Sequence, residues 1–293
     1  MRATVIAPVR SAGTTLGVLA LSTVERPLQP DDLAMVSEVA HRLALALGNV
    51  EAYLDERRRG EVLQLSLLPT IPAVDGLEVA VRYLAATDGS KVGGDWYDVI
   101  PIGDGQVDLV IGDVVGHDMQ AAVEMSQARN ALRAFACADG ATPAATLTGL
   151  DHMSNRLGME LATAVVARVD LEADTLTWSN AGHTPPLLVT DGHVTVLDDY
   201  LGAMLGIGTP SDRRQRTVPF PPGSTLVFYT DGAIEDPELS LDEGLARLTE
   251  AVRTSAEDGT EAICDAVVAS TLDDGLDRRD DIAILVVSRV AER

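Results

Sequence analysis

Residues 106–117 read QVDLVIGDVVGH, an apolar run typical of a buried β-strand that ends on the carboxylate of Asp113. Other acidic residues have the same surroundings, the edge of an apolar run beside glycine or a second acid: Asp95 in VGGDWYD (92–98), Asp231 in VFYTDG (227–232), and Asp280 and Asp281 in RDDIA (279–283). A carboxylate at such an edge is held rigidly by the sheet, while its oxygens reach into loops where a ligand can approach. One such acid is commonly a turn former or a helix cap, but acids from four such motifs gathered at one end of a sheet repel each other and need a compensating cation.

The cation that this cluster predicts is a hard one. The candidate ligands are carboxylates, and neither the five histidines nor the two cysteines form a metal-ligand spacing such as HExxH. Oxygen donors favour Mg²⁺ or Mn²⁺ and, less well, Ca²⁺, whereas zinc is disfavoured. The sequence contains no G-x-x-x-x-G-K-[ST] loop, which excludes nucleotide hydrolysis through a P-loop.

Composition excludes other classes of protein. The 293 residues include 22 Lys and Arg against 45 Asp and Glu, a formal net charge of −23. Such a chain lacks the basic footprint of a nucleic-acid binder and is repelled by anionic membrane surfaces. No run approaches the ~18 apolar residues of a membrane span, and the N-terminus has no export signal. We therefore expect a soluble, cytoplasmic protein in which Cys137 and Cys264 are small core residues.

The remaining pattern predicts the architecture. Strand-like runs follow one another after Pro69 and Pro72, many of them joined by short turns that contain Gly or Asp: 79–85, 106–112, 161–169, 175–179, 187–189, 193–197, 225–229 and 282–290. Short turns join antiparallel strands, whereas parallel strands need long crossovers. Helical periodicity is found in four further segments: 119–138, 143–159, 242–255 and 261–272. We expect an α+β fold, a β-sandwich with helices packed outside.

The N-terminal part has a different pattern. Residues 4–9 and 16–22 predict a β-hairpin, and apolar residues at helical spacing begin after Pro30 and extend to Pro69. The apolar stripe in the second half of this helix has two open interpretations. It packs on its own domain, or it is a signalling helix that pairs two chains in a homodimer.

The ordered motifs resemble those of the SpoIIE-type branch of the protein phosphatase 2C (PPM) superfamily. The resemblance rests on the acidic motifs, on NAGHTPP at 180–186 and on LLP at 67–69, and it extends over about residues 60–293. The first 48 residues resemble, more weakly, the C-terminal part of a GAF sensor domain. Together the two resemblances imply a partial GAF-like segment over 1–48, a helical linker over 49–70 and a phosphatase domain over 71–293.

For the site, the resemblance implies a four-layer αββα sandwich with two Mn²⁺ or Mg²⁺ ions at one end. Asp113 would bridge the two ions and Val114 would bind one through its carbonyl oxygen, while Asp95 would hold the ion nearer the first strand. The other ion would be held by Asp231 and Asp280, with Asp281 as the second choice to Asp280. Asp113 and Asp95 are therefore the expected catalytic residues. Two such ions acidify a water molecule and neutralise charge on the phosphoryl oxygens, so that no covalent phosphoenzyme is needed.

Three more residues are candidate substrate contacts, namely Lys91, His117 and His183. Lys91 is either a phosphate contact or a solvated loop lysine. His117 either donates a proton to the leaving oxygen or stabilises its loop, and His183 lies either beside the substrate or in a tight turn; the general acid stays unassigned. The chain departs from its relatives at Asp118, where they usually have glycine. If that position needs a positive φ, aspartate costs about 1 kcal/mol.

The function implied is a metal-dependent protein phosphatase. It would hydrolyse phosphoserine or phosphothreonine on a protein substrate, an anti-sigma factor antagonist in bacterial partner-switching signalling. Two alternatives stay open: a catalytically inactive pseudophosphatase that acts as a partner-binding module, and a small-molecule phosphatase with the same site.

Overall fold

The structure, a computed structural model, describes residues 3–11, 13–23, 27–86, 93–116, 118–208, 213–236, 238–271 and 280–290, without the side chains of 56, 57 and 59–66. Residue contacts divide the chain into two compact units, Met1–Gly60 and Glu61–Arg293. Within the described residues, no helix is long and apolar enough to cross a membrane.

The N-terminal unit contains the predicted hairpin and the predicted long helix as far as Gly60; the last residues of the helix belong to the second unit. Strands β1 (Ala3–Ser11) and β2 (Thr14–Thr23) pair antiparallel, and helix α1 (Pro30–Leu67) follows. A small core joins hairpin and helix through five buried side chains: Ala7, Val9, Val36, Ala40 and Ala44. Other apolar residues of α1 stay exposed, among them Leu43, Leu47, Val50 and Leu54.

The second unit is built on two five-stranded sheets in which every neighbouring pair of strands is antiparallel. The first sheet has the order β10-β7-β6-β5-β4: β4 (Asp95–Gly103), β5 (Gln106–Val114), β6 (Ala162–Asp170), β7 (Thr175–Ala181) and β10 (Arg216–Pro219). The second has the order β3-β12-β11-β8-β9: β3 (Leu77–Leu84), β8 (Leu187–Thr190), β9 (His193–Val196), β11 (Thr225–Tyr229) and β12 (Ile282–Arg289). Helices α2 (Met119–Ala136) and α3 (Pro143–Leu157) pack on the first sheet, and α4 (Leu241–Ser255) and α5 (Thr260–Thr271) on the second.

Three apolar cores separate the four layers. Alternate residues of β5 enter different cores: Leu109 and Ile111 lie between the sheets, whereas Val110 lies under α2 and α3. A third core joins the second sheet to α4 and α5. Because the central strands are buried on both faces, their sequences are apolar runs rather than alternating patterns. The expected α+β fold with a four-layer αββα sandwich is confirmed.

Some details differ from the sequence-based expectation. Strands β4 and β10 were not among the predicted runs, and α2 and α3 each end two residues earlier than expected, since Cys137 and the left-handed Gly158 are their C-caps. Cys264 is buried as expected, but the prediction for Cys137 was wrong because the C-cap position leaves it exposed.

Candidate metal centre

Two of the predicted acids lie side by side at one end of the first sheet. Asp95 begins β4 and is paired in register with Asp113 near the end of β5. Asp95 is only 3% exposed. The Thr230 hydroxyl, at the end of β11, donates a hydrogen bond to Asp95 Oδ2 at 2.7 Å and accepts one from the Ala283 N–H at 2.9 Å. Thr230, at the end of a strand of the second sheet, therefore holds the Asp95 carboxylate of the first sheet in place.

The other predicted acids come from the second sheet. Asp231 follows β11 and opens a short 3-10 turn, where its Oδ1 accepts from the Gly232 N–H at 2.9 Å. Asp280 precedes β12 and is exposed, and its Oδ1 accepts from the Asp281 N–H at 2.9 Å. In each of the two acids, one carboxylate oxygen therefore accepts a hydrogen bond from the N–H of the next residue, which fixes the carboxylate against its own loop.

Asp281 has a different environment from Asp280. It is 3% exposed, its Oδ1 accepts from the Ala86 N–H at 2.7 Å, and its Oδ2 accepts from the Tyr83 hydroxyl at 3.0 Å. Both oxygens therefore hold the end of β3. This placement favours Asp280 over Asp281 as a candidate ligand, in the order that the sequence analysis gave.

The carboxylates raise one another's pKa values. Burial, and next the charge of Asp231, raise the pKa of Asp113 to about 8. Burial and the charge of Asp280 raise the pKa of Asp231 to about 6, and burial and the charge of Asp113 hold the pKa of Asp95 well above its usual range. These are the shifts expected of carboxylates that are gathered without a positive partner.

Glycine allows the backbone to approach this cluster. A Cβ atom on Gly94 would lie 2.0 Å from the carbonyl oxygen of Val114 and 2.9 Å from Asp113 Oδ1. The Val114 N–H donates to the Gly94 carbonyl at 3.1 Å, which fixes the two backbones against each other. A side chain at residue 94 would therefore displace the two oxygen atoms that the sequence analysis assigned to the metal site.

The donor set suits a hard divalent cation. Within the described ranges, no three His, Cys, Asp or Glu side chains already converge as a closed ligand group. The carboxylates nevertheless lie near enough to shift one another's pKa values, and all donors are oxygens. Among the described residues, no lysine or arginine contributes to these pKa shifts. The residues present thus fit Mg²⁺ or Mn²⁺.

Of the three candidate substrate contacts, the structure describes only His183. Lys91 and His117 lie outside the described residues. His183 is 5% exposed, its Nδ1 is hydrogen-bonded to the Thr163 hydroxyl at 2.7 Å, and its backbone N–H and C=O are both held by the Asn180 side chain. Burial outweighs the nearby Tyr229 carbonyl and lowers the pKa of His183 to about 4. A neutral, enclosed ring fits a structural role in a tight turn better than contact with substrate.

The structure explains how the chain accommodates aspartate at position 118, where relatives usually have glycine. Its φ is −127°, so the position needs no left-handed backbone. Asp118 is instead the N-cap of α2, and its Oδ1 accepts from the Ala121 N–H at 2.9 Å. The cost of placing aspartate at a positive φ therefore does not arise at this position. The position in this loop that does need glycine is Gly116, which has a φ of +121°.

Sequence reasoning missed the residues that support the acids. Thr230 was quoted only as part of the VFYTDG motif, although a threonine between an apolar strand and an aspartate was the available signal. Asp98, three residues after Asp95 on β4, binds Arg133 of α2 through two hydrogen bonds at 2.5 and 2.7 Å. That pair fixes β4 to the helix that begins just after the Asp113 loop.

Comparisons with known proteins agree with the fold. The model of the family described as Stage II sporulation protein E (SpoIIE) matches residues 103–290, and that of the GAF domain matches residues 1–47. Among curated proteins, Protein IcfG of Synechocystis sp. is 26% identical over 268 residues, which is 80% of this chain and 41% of that protein. Phosphoserine phosphatase RsbP of Bacillus subtilis is 24% identical over 189 residues, 59% of this chain and 46% of that protein. The chain thus spans less than half the length of both relatives.

One solved structure is similar to this chain in both fold and sequence. The RsbU and RsbW domains of Rv1364c from Mycobacterium tuberculosis superpose with a TM-score of 0.69 at 32% identity. That similarity covers 77% of this chain and 63% of the other.

Proposed function

Because this chain belongs to the SpoIIE family of PP2C-type phosphatases, we propose that it is a metal-dependent protein serine/threonine phosphatase. The observation that carries the proposal is the group of four carboxylates, Asp95, Asp113, Asp231 and Asp280, at one end of the two sheets. A rigid group of carboxylate oxygens suits the divalent cations that support phosphoryl transfer.

The proposal gives each acid a role. Asp113 would help to hold both of two Mn²⁺ or Mg²⁺ ions. Asp95 and the Val114 carbonyl would bind one of the ions, and Asp231 and Asp280 would bind the other. The ions would supply an acidified water and would neutralise the charge of the phosphoryl group. Asp281 would position the end of β3 rather than bind an ion, since both its oxygens already accept hydrogen bonds.

The chain's own residues supply rigidity and charge. Thr230 holds Asp95 through a buried hydrogen bond, and the register of β4 with β5 holds Asp95 opposite Asp113. Without cations, a phosphate dianion would meet several like charges at this end of the sandwich, so the chain alone repels its substrate. The proposed activity is therefore conditional on metal.

The substrate is the finer part of the proposal. RsbP is named a phosphoserine phosphatase, and the structural relative Rv1364c carries an RsbU domain beside an RsbW domain. By this analogy we propose a phosphorylated anti-sigma factor antagonist as substrate. We also propose that the chain is divided into a partial GAF-like segment (1–48), a helical linker (49–70) and a phosphatase domain (71–293). A homodimer would form through the exposed apolar residues of α1.

The test is hydrolysis by the full chain of p-nitrophenyl phosphate and of a phosphoserine protein, with Mn²⁺, Mg²⁺ or EDTA. We expect turnover with metal only, and loss of turnover in Asp113→Asn, while the exposed turn variant Asp104→Asn keeps wild-type activity. Turnover of p-nitrophenyl phosphate without any turnover of phosphoproteins would favour a small-molecule phosphatase. A folded chain that turns over neither substrate with either metal would instead favour the partner-binding module.

A further inference from the structure

The connection between β9 and β10, described over 197–208 and 213–215, lies at the same end of the first sheet as the carboxylates. Leu201 in this connection forms a β-bridge with Asn180, near the end of β7, and the Gly202 N–H donates to the Asn180 carbonyl at 3.2 Å. Strands β5, β6 and β7 are neighbours, and Asp113 and Asn180 are each the second-last residue of their strand at this end. With about 4.8 Å between neighbouring strands, Leu201 lies roughly 15 Å from Asp113.

Buried contacts hold this connection in a fixed shape. The Arg213 side chain is buried and pairs with Asp151 of α3 at 3.0 Å, and its Nη1 donates to the Ala203 carbonyl at 2.7 Å. The other carboxylate oxygen of Asp151 accepts from the Gly206 N–H at 3.0 Å. The side chains that this connection exposes are therefore carried on a rigid support, as recognition of a partner requires.

Three exposed residues on this support form a surface that we name the Tyr200 patch: Tyr200, Leu201 and Arg214. Tyr200 is 49% exposed and Leu201 is 53% exposed. The Arg214 guanidinium lies over the Tyr200 ring, 5.3 Å from its centroid, in a cation–π contact. The Arg214 carbonyl accepts from the Ser179 hydroxyl at 2.7 Å, which fixes this residue against β7. Tyrosine and arginine are among the side chains most enriched at the energetic centres of protein–protein interfaces.

The charge of the Tyr200 patch favours an acidic partner. Asp199, the residue before Tyr200, pairs with Arg216 at 3.1 Å, and Arg214 forms no ion pair with any carboxylate in the described part of the chain. The whole chain has a formal net charge of −23, so Arg214 is a local positive charge on an acidic protein. A carboxylate on a partner would complement it.

The backbone of Tyr200 is also unusual. Its φ is +63°, in the left-handed region, and the other three non-glycine residues with positive φ in the described ranges are all aspartates. Aspartate adopts this conformation more readily than a bulky aromatic residue does. A tyrosine at such a position indicates that its ring has a use that offsets the backbone strain.

We propose that the Tyr200 patch binds the protein substrate of the metal centre, through an acidic side chain that lies next to an apolar one in the substrate. The carboxylate would pair with Arg214, and the apolar side chain would pack on Tyr200 and Leu201. This inference rests on the proposed function and adds a sequence preference to it. Divalent cations recognise the phosphoryl group that all phosphoserines share, so selection among phosphoproteins needs contacts outside the metal centre.

The separation of the Tyr200 patch from the metal centre sets the spacing in the substrate. Both lie at the same end of the first sheet, so one extended segment can reach both. Such a segment rises about 3.3 Å per residue and spans roughly 15 Å in about four or five residues. The preferred acid is therefore expected at about that distance along the chain from the phosphoserine.

The primary test measures kcat/KM of the full chain with Mn²⁺ on blocked phosphoserine peptides. Each peptide is polyalanine with a leucine and a glutamate about four and five residues from the phosphoserine, and its matched peptide has glutamine in place of glutamate. One pair carries these residues before the phosphoserine and a second pair after it, because a bound segment can run in either direction. In one pair we expect kcat/KM to be about threefold higher for the glutamate peptide, as for one partly exposed ion pair. The net charge of the chain repels glutamate, so equal or lower values for glutamate in both pairs overturn the proposal.

Matched variants assign the preference to the Tyr200 patch. Arg214→Gln should abolish it, whereas Arg253→Gln, which removes the same charge from an exposed arginine of α4, should keep it. Tyr200→Gly suits the left-handed backbone and removes the ring, so KM should rise about threefold for both peptides of the preferred pair while kcat is unchanged. Turnover of p-nitrophenyl phosphate, which is too small to reach the patch, measures the active fraction of each variant. A preference for glutamate that persists in Arg214→Gln overturns the proposal.

A titration without turnover separates this inference from the proposed function. In EDTA, the unphosphorylated glutamate peptides are added to the full chain, and amide chemical shifts are followed in ¹H–¹⁵N spectra. We expect shifts at residues 199–202 and 213–216 in the wild-type chain and none there in Arg214→Gln; shifts elsewhere only, or none, overturn the inference. A chain that hydrolyses neither p-nitrophenyl phosphate nor the peptides refutes the proposed function, and the titration still decides whether the patch binds an acidic segment. If the same residues shift when the chain is concentrated without peptide, a second copy covers the patch and the inference is overturned.

Discussion

Two kinds of aspartate in this molecule differ in what balances their charge. Asp98, Asp108 and Asp151 lie outside the candidate metal centre and are each bound by an arginine, at 2.5, 2.6 and 3.0 Å. Asp95 and Asp113 are instead surrounded by other carboxylates, which raise their pKa values. Arginines therefore balance the first three carboxylates from within the chain, whereas at the end of the sandwich we expect divalent cations to balance the charge.

The largest effect is expected where an internal pair is broken. Arg168 binds both oxygens of the fully buried Asp108, at 2.6 and 2.8 Å. Arg168→Met leaves that carboxylate unpaired and should lower the free energy of unfolding by about 3–5 kcal/mol in urea denaturation. The matched control Arg216→Met breaks the exposed pair with Asp199 and should change stability by less than about 1 kcal/mol. If both variants lose the same stability, the comparison between the two kinds of aspartate fails.

The second prediction concerns the hydrogen bond that holds Asp95. Thr230→Val removes the hydroxyl that donates to Asp95 and accepts from the Ala283 N–H, at nearly constant volume. We expect Mn²⁺ affinity to fall by about 10–100-fold, as for other residues that orient a metal ligand. Thr230→Ser should restore most of it, and Thr177→Val, which removes an exposed threonine pair, should have no effect. Wild-type affinity in Thr230→Val would show that Asp95 needs no support from the second sheet.

The third prediction is a pH dependence of the metal-free chain. The pKa of Asp113 is about 8 in the fold, far above that of an unfolded aspartate, so the folded chain binds its proton more tightly. The stability that this proton contributes is complete below about pH 4 and is lost as the pH rises towards 8. In EDTA, Asp113→Asn should therefore be more stable than wild type by at least about 1 kcal/mol at pH 8 and equal to it at pH 4.

Thermal unfolding at both pH values measures this difference. The control is Asp108→Asn, which should be less stable than wild type at pH 8, because it removes a compensated carboxylate from Arg168. A loss of stability in both asparagine variants would mean that Asp113 is already balanced within the chain.

The smallest effect is expected at Asp118. Its side chain caps α2 in an extended backbone, so Asp118→Gly should cost a few tenths of a kcal/mol and Asp118→Ala about 1 kcal/mol. Neither change alters the acids of the metal centre, so hydrolysis with Mn²⁺ should stay near wild type in both. Loss of activity in Asp118→Gly alone would give this aspartate a role beyond capping.

The sequence was most informative where a buried strand ended on an acid. The apolar run of β5 predicted both the strand and the position of Asp113, because a strand buried on both faces has few polar residues. β4 was missed because Asp95, Asp98 and Pro101 interrupt its apolar pattern. Those acids are buried only because Arg133 and Thr230 reach them from distant parts of the chain. Such long-range compensation has no local signature in a sequence.

Pairing between strands gives two adjacent acids different surroundings, which the sequence alone could not show. Asp280 and Asp281 are adjacent and chemically identical, and only the resemblance to known phosphatases ranked them. The register of β12 with β3 pairs Ile282 with Leu84 and so brings Asp281 to Tyr83 and Ala86. The neighbouring Asp280 stays exposed at the sandwich end.

The most direct test of the proposed metal centre is calorimetric titration of the metal-free chain with Mn²⁺ at pH 7, in two buffers with different ionisation enthalpies. We predict saturable binding of two ions with release of protons, since raised pKa values leave the carboxylates partly protonated before the metal binds. Binding should be strongly weakened in Asp113→Asn and unchanged in Asp104→Asn. A folded wild-type chain that binds no Mn²⁺, or an Asp113→Asn variant that binds it as tightly as wild type, would contradict the account.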